Sequence, residues 1–267
     1  MSTKYEFPIG YQEICEIIPH RYPFLLVDRV TGFSDRVVMV TGASGNLGQA
    51  VARAFLSAGA RLALAERAGD RLAELFSDLI SSSDHLLSGG VDVTDPDSIQ
   101  RWVDAVLTHF GRIDVLANTV GGYRAGMPVH ETPVELWDAM LTLNARSVFL
   151  LSRAVVPAML IQGSGRIIHT AARAALQGTA NQAAYAVSKS AVVRLVESLG
   201  AETRQQGLTV NCILPGTIDT PQNRAAMPSA DASRWVTPEA IADVFVFLAS
   251  DAARDITGAA IPVYGLS

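Results

Sequence analysis

Three glycines within eight residues, Thr41-Gly42-Ala43-Ser44-Gly45-Asn46-Leu47-Gly48, separate a short β-branched run from a segment of helical period. Ahead of them, Arg36-Val37-Val38-Met39-Val40 has the composition of a parallel strand buried on both faces. Behind them, Leu47, Val51, Ala54, Phe55 and Ala58 recur at helical spacing until Gly59 stops the helix. In such a turn the missing Cβ atoms let backbone N–H groups, at the positive end of a helix, approach a pyrophosphate. The sequence context, strand then glycine turn then helix, is the one in which a glycine pattern carries that meaning.

The same alternation continues along the chain. Leu62-Ala63-Leu64-Ala65 reads as a second strand, residues 70–80 as a helix and Ser81-Ser82-Ser83 as a loop. A third strand is expected to end at Val91-Asp92. Thr94-Asp95-Pro96 then supplies a cap and a first-turn proline for a helix with Ile99, Trp102, Val103, Val106, Leu107 and Phe110 on one face. Ile113–Leu116 is a fourth strand, and Thr132-Pro133-Val134-Glu135 reads as a capping box for a helix running through Trp137, Met140, Leu143 and Phe149. Strands at 166–169, 208–213 and 259–263 and helices at 183–204 and 238–249 complete the series. Strand–helix units with short connections demand a parallel sheet covered on both faces and wound right-handed. The expectation is an α/β protein with a single doubly wound, Rossmann-type domain over residues 34–267, preceded by an appendage over residues 1–33.

The 267 residues are 49% hydrophobic and 18% charged, which supports a large core and excludes general disorder. A net charge of −5 argues against an electrostatic grip on nucleic acid or an anionic membrane. No apolar run approaches the roughly 18–20 residues of a membrane span, and the N-terminus lacks the pattern of a secretory signal. Cys15 and Cys212 match no metal or redox spacing, so no metal site is expected and a reduced, cytoplasmic setting is the default.

Glu66 ends the second strand 18 positions after Gly48, near the spacing at which a carboxylate accepts hydrogen bonds from an adenosine ribose. It would repel a 2′-phosphate, which favours NAD(H); Arg67, next along, could attract that phosphate and keeps NADP(H) open. Asp92-Val93 either flank an adenine ring or, through Asp92, cap the following helix. Tyr185 and Lys189 are four apart in a helical stretch and project from one face. A phenol titrates near 10, and a neighbouring ammonium favours its phenolate form. Such a pair suits proton transfer to a carbonyl oxygen while a nicotinamide delivers hydride to the carbon.

Taken together, these motifs resemble the short-chain dehydrogenase/reductase family over residues 36–267: Thr41–Gly48, Asp92-Val93, Asn118 in Ala117-Asn118-Thr119-Val120-Gly121, Asn144, Tyr185-Ala186-Val187-Ser188-Lys189, and Pro215-Gly216 followed by Thr220. The resemblance implies that Gly42, Ser44, Asn46, Leu47, Gly48, Glu66, Asp92, Val93 and Asn118 hold the dinucleotide. It makes Tyr185 the acid/base and has Lys189 bind ribose and tune Tyr185, with Asn144 supporting a water-linked proton relay. Pro215, Gly216, Ile218 and Thr220 would hold the nicotinamide end. It also implies a small-molecule substrate and a homodimer or homotetramer. One departure matters: 13 residues before the tyrosine, where the family places a carbonyl-binding serine, stands Ala172, beside Ala171. A methyl group cannot donate to a substrate oxygen, and losing such a donor typically costs about 10²–10³ in rate. Strand alternation turns Thr170 to the opposite face from Ala171.

The stretch Ala172–Thr179, Asp219–Arg224 and Gly121-Gly122-Tyr123 are similar to dihydropteridine reductases, which also carry alanine at the serine position. The substrate classes are therefore 3-oxoacyl thioesters, other ketones and quinonoid dihydropteridines. The competing reading is a dinucleotide-binding protein with weakened catalysis and a regulatory or assembly role. Residues 12–30, including Pro19-His20-Arg21-Tyr22-Pro23-Phe24, resemble the opening of 3-hydroxyacyl-carrier-protein dehydratases. That family's catalytic histidine and glutamate motifs are absent, and about 33 residues are too few for a core. The appendage is thus a fusion remnant, a docking segment or a partner-recruiting element.

Overall fold

The computed structural model describes residues 32–266. Expectations that fall on residues 1–31, among them Cys15 and the dehydratase-like stretch over residues 12–30 with His20, lie outside the described residues. Seven strands, β1 (Val37–Thr41), β2 (Arg61–Glu66), β3 (His85–Gly89), β4 (Val115–Asn118), β5 (Gly165–Thr170), β6 (Leu208–Pro215) and β7 (Ala260–Val263), form one sheet in the order β3-β2-β1-β4-β5-β6-β7. Every neighbouring pair is parallel. The order reverses between β1 and β4, and in open parallel sheets ligands bind in the crevice beyond the strand ends at that point.

The strands alternate between two cores. Val37 and Met39 of β1, Leu116 of β4 and Ile167 of β5 face one side. There they meet Trp102 and Val103 of α3 (Pro96–Phe110), Leu151 and Val155 of α5 (Ser147–Gln162), and Val192 and Val196 of α6 (Ala183–Thr203). Val38, Val40, Ala117 and Ile168 face the other side. They pack on Val51 and Phe55 of α1 (Asn46–Ser57), Leu72 of α2 (Gly69–Leu75), and Ile241 and Phe245 of α8 (Pro238–Ala249). This two-residue alternation is what a sheet covered by helices on both faces requires. Phe33 is fully buried in the second core, its ring edge-on to Phe55 at 5.2 Å.

Several boundaries differ from the sequence expectations for identifiable reasons. The third strand ends at Gly89, short of Val91-Asp92, because Gly89 abuts Gly69 and Gly90 turns the chain at φ +74. A Cβ on Gly89 would lie 2.4 Å from the Gly69 Cα. The fourth strand is shifted to Val115–Asn118: both backbone polar groups of Ile113 are taken by the Gln162 side chain instead of by a strand. The second helix stops at Leu75 rather than continuing to residue 80. The capping box at Thr132 does not form. Its hydroxyl donates to the Pro128 carbonyl, and α4 (Val134–Met140) starts without a side-chain cap.

From α4 the helix runs through a widened, π-type turn (Leu141–Arg146) into α5 and the Gly163 stop. This continuous stretch, Val134–Gln162, is long and apolar enough by length and composition to span a membrane, so the expectation that no segment reaches that length does not hold. Its Val148, Leu151, Val155 and Met159 side is spent on the core.

Candidate active site

The glycine turn follows β1 directly. Gly42 takes φ +65, a left-handed conformation that favours glycine, and a Cβ there would sit 3.0 Å from Val120 Cγ2. Gly48 allows the first turn of α1 to press on the strand end: its Cβ would lie 2.1 Å from the Gly42 carbonyl oxygen. The helix starts at Asn46 after Gly45, with no side-chain cap and no acidic residue in its first turn. Its leading N–H groups are thus free to meet an anion at the positive end of the helix. Asn46 ties its amide to Gln222 Oε1 at 2.7 Å, linking this turn to the segment after β6. Leu47 is buried beneath the turn.

Glu66 stands at the end of β2, beside that turn. Its Oε2 accepts from the Ser44 hydroxyl at 2.6 Å and its Oε1 from the Arg67 N–H at 2.8 Å. Asp92 accepts from both the backbone and the hydroxyl of Thr94, bonds that hold its carboxyl below the usual carboxylate range. The helix-cap role belongs instead to Asp95, which accepts from Asp97 N. Val93 is buried. These groups and the turn form a cradle that fits the adenosine and pyrophosphate parts of a dinucleotide.

Across the switch point, the segment after β4 joins that cradle to the chemistry. The Thr119 hydroxyl donates to the Thr41 carbonyl at 2.7 Å, and buried Asn118 accepts from the Thr41 hydroxyl at 2.6 Å. Gly121 lies against Lys189: a Cβ there would be 2.8 Å from Nζ. Asn144, fully buried in the widened turn, clamps Gly122 with both ends of its amide, accepting from its N–H at 2.9 Å and donating to its carbonyl at 3.0 Å. It also donates to the Ser188 hydroxyl at 3.0 Å, which in turn donates to the Tyr185 carbonyl at 2.7 Å. A continuous series of contacts therefore runs from the glycine turn to Tyr185 and Lys189 on α6.

Lys189 is 3% exposed and donates to the Thr170 carbonyl at 2.9 Å; burial pushes its amine down to about 8. Tyr185 is partly buried, with the ring of Tyr123 edge-on at 4.8 Å. Burial, with a smaller contribution from Tyr123, pushes the phenol up to about 12. The expected lowering of this phenol is thus reversed here by desolvation, and no hydrogen bond joins it to Lys189 among the described residues. At the far end, Pro215 closes β6, Gly216 N donates to Val263 O, Ile218 bridges to Val236, and Thr220 caps α7 (Pro221–Ala226). Ala172 is buried and carries no donor, and the Thr170 hydroxyl is spent on the Asn118 carbonyl at 2.8 Å.

Three groups in this cluster were given no role by sequence reasoning. Ser188, one turn from Tyr185, links that helix to Asn144. Tyr123 covers the Tyr185 ring. His169, fully buried on β5, bonds to Asn118 Nδ2 at 3.2 Å and to the Ser152 hydroxyl at 3.0 Å; burial holds it neutral, at about 3. A histidine within the apolar run 166–169 was the available signal. No group of three or more metal-ligating side chains occurs among the described residues.

A protein-family model described as "Enoyl-(Acyl carrier protein) reductase" matches residues 42–265. The chain is similar to 2-(R)-hydroxypropyl-CoM dehydrogenase of Xanthobacter autotrophicus, 34% identical over an aligned length of 243, covering 86% of this chain and 97% of that protein. It is 33% identical over 241 residues to the 3-oxoacyl-(acyl-carrier-protein) reductase FabG of Salmonella typhimurium, covering 87% of this chain and 97% of the relative. Among solved structures, levodione reductase superposes with a TM-score of 0.80 at 30% identity, over 87% of this chain and 97% of that one.

Proposed function

The chain belongs to the short-chain dehydrogenase/reductase family, and from that premise we propose that it is an NAD(P)-dependent reductase of small carbonyl or quinonoid substrates, with Tyr185 as its acid. When bound, the nicotinamide supplies hydride to the substrate carbon. The protein's part is to hold and move a proton. Tyr185 Oη gives its proton to the substrate oxygen as negative charge develops there. A phenol that titrates at about 12 in the free protein holds that proton firmly. The nearby Lys189 ammonium and a bound cationic ring both favour the phenolate left behind. Asn144 keeps the Gly121-Gly122 segment in place and, with Ser188, fixes the stretch of α6 that carries Tyr185.

The observation that carries this reading is the uninterrupted contact path from the glycine turn through Gly121 and Asn144 to Lys189 and Tyr185. A cradle for a dinucleotide and a proton donor thereby share one crevice. Glu66, accepting from Ser44 at the end of β2, favours NAD(H) because its charge repels a 2′-phosphate. The relatives act on a hydroxypropyl-CoM compound and on 3-oxoacyl thioesters, by their names. By extension the substrate is a ketone, a 3-oxoacyl thioester or a quinonoid dihydropteridine. The exposed Phe149, Leu160 and Ile161 of α5 support assembly into a homodimer or homotetramer.

Ala172 favours one competing reading, a dinucleotide-binding protein with a regulatory role. Oxidation of NADH and NADPH is to be measured against a panel of ketones, 3-oxoacyl thioesters and dihydropteridines, with Tyr185→Phe alongside. Turnover that Tyr185→Phe abolishes is expected. Dinucleotide binding without turnover on any substrate would favour the competing reading.

A further inference from the structure

The site has a proton donor but lacks the second donor that a carbonyl oxygen needs as its charge grows. Ala172 and Ala171, both buried, carry only methyl groups. The polar groups packed around Tyr185 are mostly committed elsewhere. The Thr170 hydroxyl donates to Asn118 O, the Ser188 hydroxyl to Tyr185 O, and the Asn144 amide to Gly122 O and Ser188. Lys189 is tied to Thr170 O. Tyr185 aside, one hydroxyl in contact with the cluster, that of Tyr123, has no hydrogen-bond partner among the described residues. Its side chain is 61% exposed, although its ring touches Tyr185 edge-on at 4.8 Å. A large aromatic group left that open beside a partly buried one is unusual unless something else covers it.

The backbone leading to Tyr123 is fixed rather than loose. Both polar groups of Gly122 are held by Asn144, and a Cβ on Gly122 would lie 2.6 Å from Leu143 Cδ2, so this segment is pressed onto the widened turn. The ring therefore leaves a rigid base and leans on Tyr185. The two rings are close enough for Tyr123 to add to the burial that raises the Tyr185 phenol. A phenol hydroxyl can donate one hydrogen bond.

We infer that Tyr123 is a catalytic residue that donates its hydroxyl hydrogen bond to the substrate oxygen, taking the place of the hydroxyl missing at Ala172. No bond forms or breaks at Tyr123. It keeps its proton throughout, while Tyr185 transfers its own. The inference rests on the reductase reading above and adds the source of the second hydrogen bond.

The test uses the full-length protein and the ketone or thioester on which it turns over fastest. Tyr123→Phe keeps the ring contact and removes only the donor. It is expected to lower kcat by about 10²-fold, within the range for loss of one such donor, with NADH affinity unchanged. Adding Ala172→Ser to Tyr123→Phe restores the hydroxyl from the other wall and is expected to recover at least about tenfold of that loss. A purely structural role for Tyr123 would not be rescued in this way. Two outcomes overturn the inference: Tyr123→Phe turning over like the wild type, or a double variant no faster than Tyr123→Phe. Failure of the reductase reading itself looks different, since the wild type would then be inactive or Tyr185→Phe would remain active.

Discussion

Gly48→Ala puts the dinucleotide cradle to a quantitative test. The added Cβ would lie 2.1 Å from the Gly42 carbonyl oxygen, 2.8 Å from its carbonyl carbon and 2.9 Å from Ala43 Cα. All three are backbone atoms, so no side chain can swing aside. To reach ordinary contact, the first turn of α1 must move away from the Gly42-Ala43 peptide by about 1 Å, and misplacements of that size cost catalytic sites up to about 10²-fold. Two consequences separate. Forced overpacking costs about 1–3 kcal/mol of stability, which for a chain of this size lowers Tm by roughly 2–4 °C per kcal/mol. Independently, the leading N–H groups of α1 lose their aim at the pyrophosphate. Each hydrogen bond to a charged group is worth about 1.5–3 kcal/mol, so losing one raises the Kd for NADH by about 10- to 100-fold. Isothermal titration with NADH, well below the Tm, reads the second effect without the first. Gly178→Ala, whose Cβ would meet nothing within 4 Å, serves as the control and should bind normally. A Gly48→Ala protein that is folded and binds NADH as tightly as the wild type would refute the cradle.

Three further outcomes follow from the same geometry. His169 is buried and neutral, at about 3, whereas an unfolded histidine takes up its proton near 6.5. Between those values the unfolded chain binds more protons, so stability falls with falling pH by up to about 1.4 kcal/mol per unit. His169→Gln should make that slope shallower in urea titrations at pH 4, 5 and 6, and an unchanged slope would contradict it. Asn144→Ala frees the Gly122 N–H and carbonyl and the Ser188 hydroxyl. It should lower kcat by about 10- to 100-fold through misplacement of the site while NADH still binds; wild-type kcat would count against the clamp. Glu66→Ser removes the charge that opposes a 2′-phosphate and should shift the NADH-to-NADPH preference toward NADPH by about tenfold, roughly 1.4 kcal/mol; steady-state kinetics with both coenzymes would expose an unmoved ratio.

What the sequence revealed was what local stereochemistry controls. The glycine turn was legible because Gly42 needs φ +65 and Gly48 needs the absence of a Cβ, whatever surrounds them. The alternation of strands and helices was legible because period 2 and period 3.6 are local, and Asp95 and Pro96 start α3 by local rules. The misses depended on distant partners. The end of β3 is set by Gly69, twenty residues away, and the start of β4 by the Gln162 side chain. Thr132 found a carbonyl instead of an N–H. The widened turn at Leu141–Arg146 keeps a helical sequence pattern, so nothing in the sequence marked the register that brings Asn144 to Gly122. The direction of the Tyr185 shift was missed for the same reason. The four-residue spacing to Lys189 is visible in the chain, whereas burial beneath Tyr123 arises only on folding.

Placing a dissociable phenol beside a dinucleotide cradle is the core of the account, and removing one oxygen atom tests it. Tyr185→Phe should bind NADH with the wild-type Kd and lose about 10²–10⁴ in single-turnover reduction rate, the usual contribution of a positioned proton donor. A Tyr185→Phe protein that reduces substrate at the wild-type single-turnover rate would contradict it.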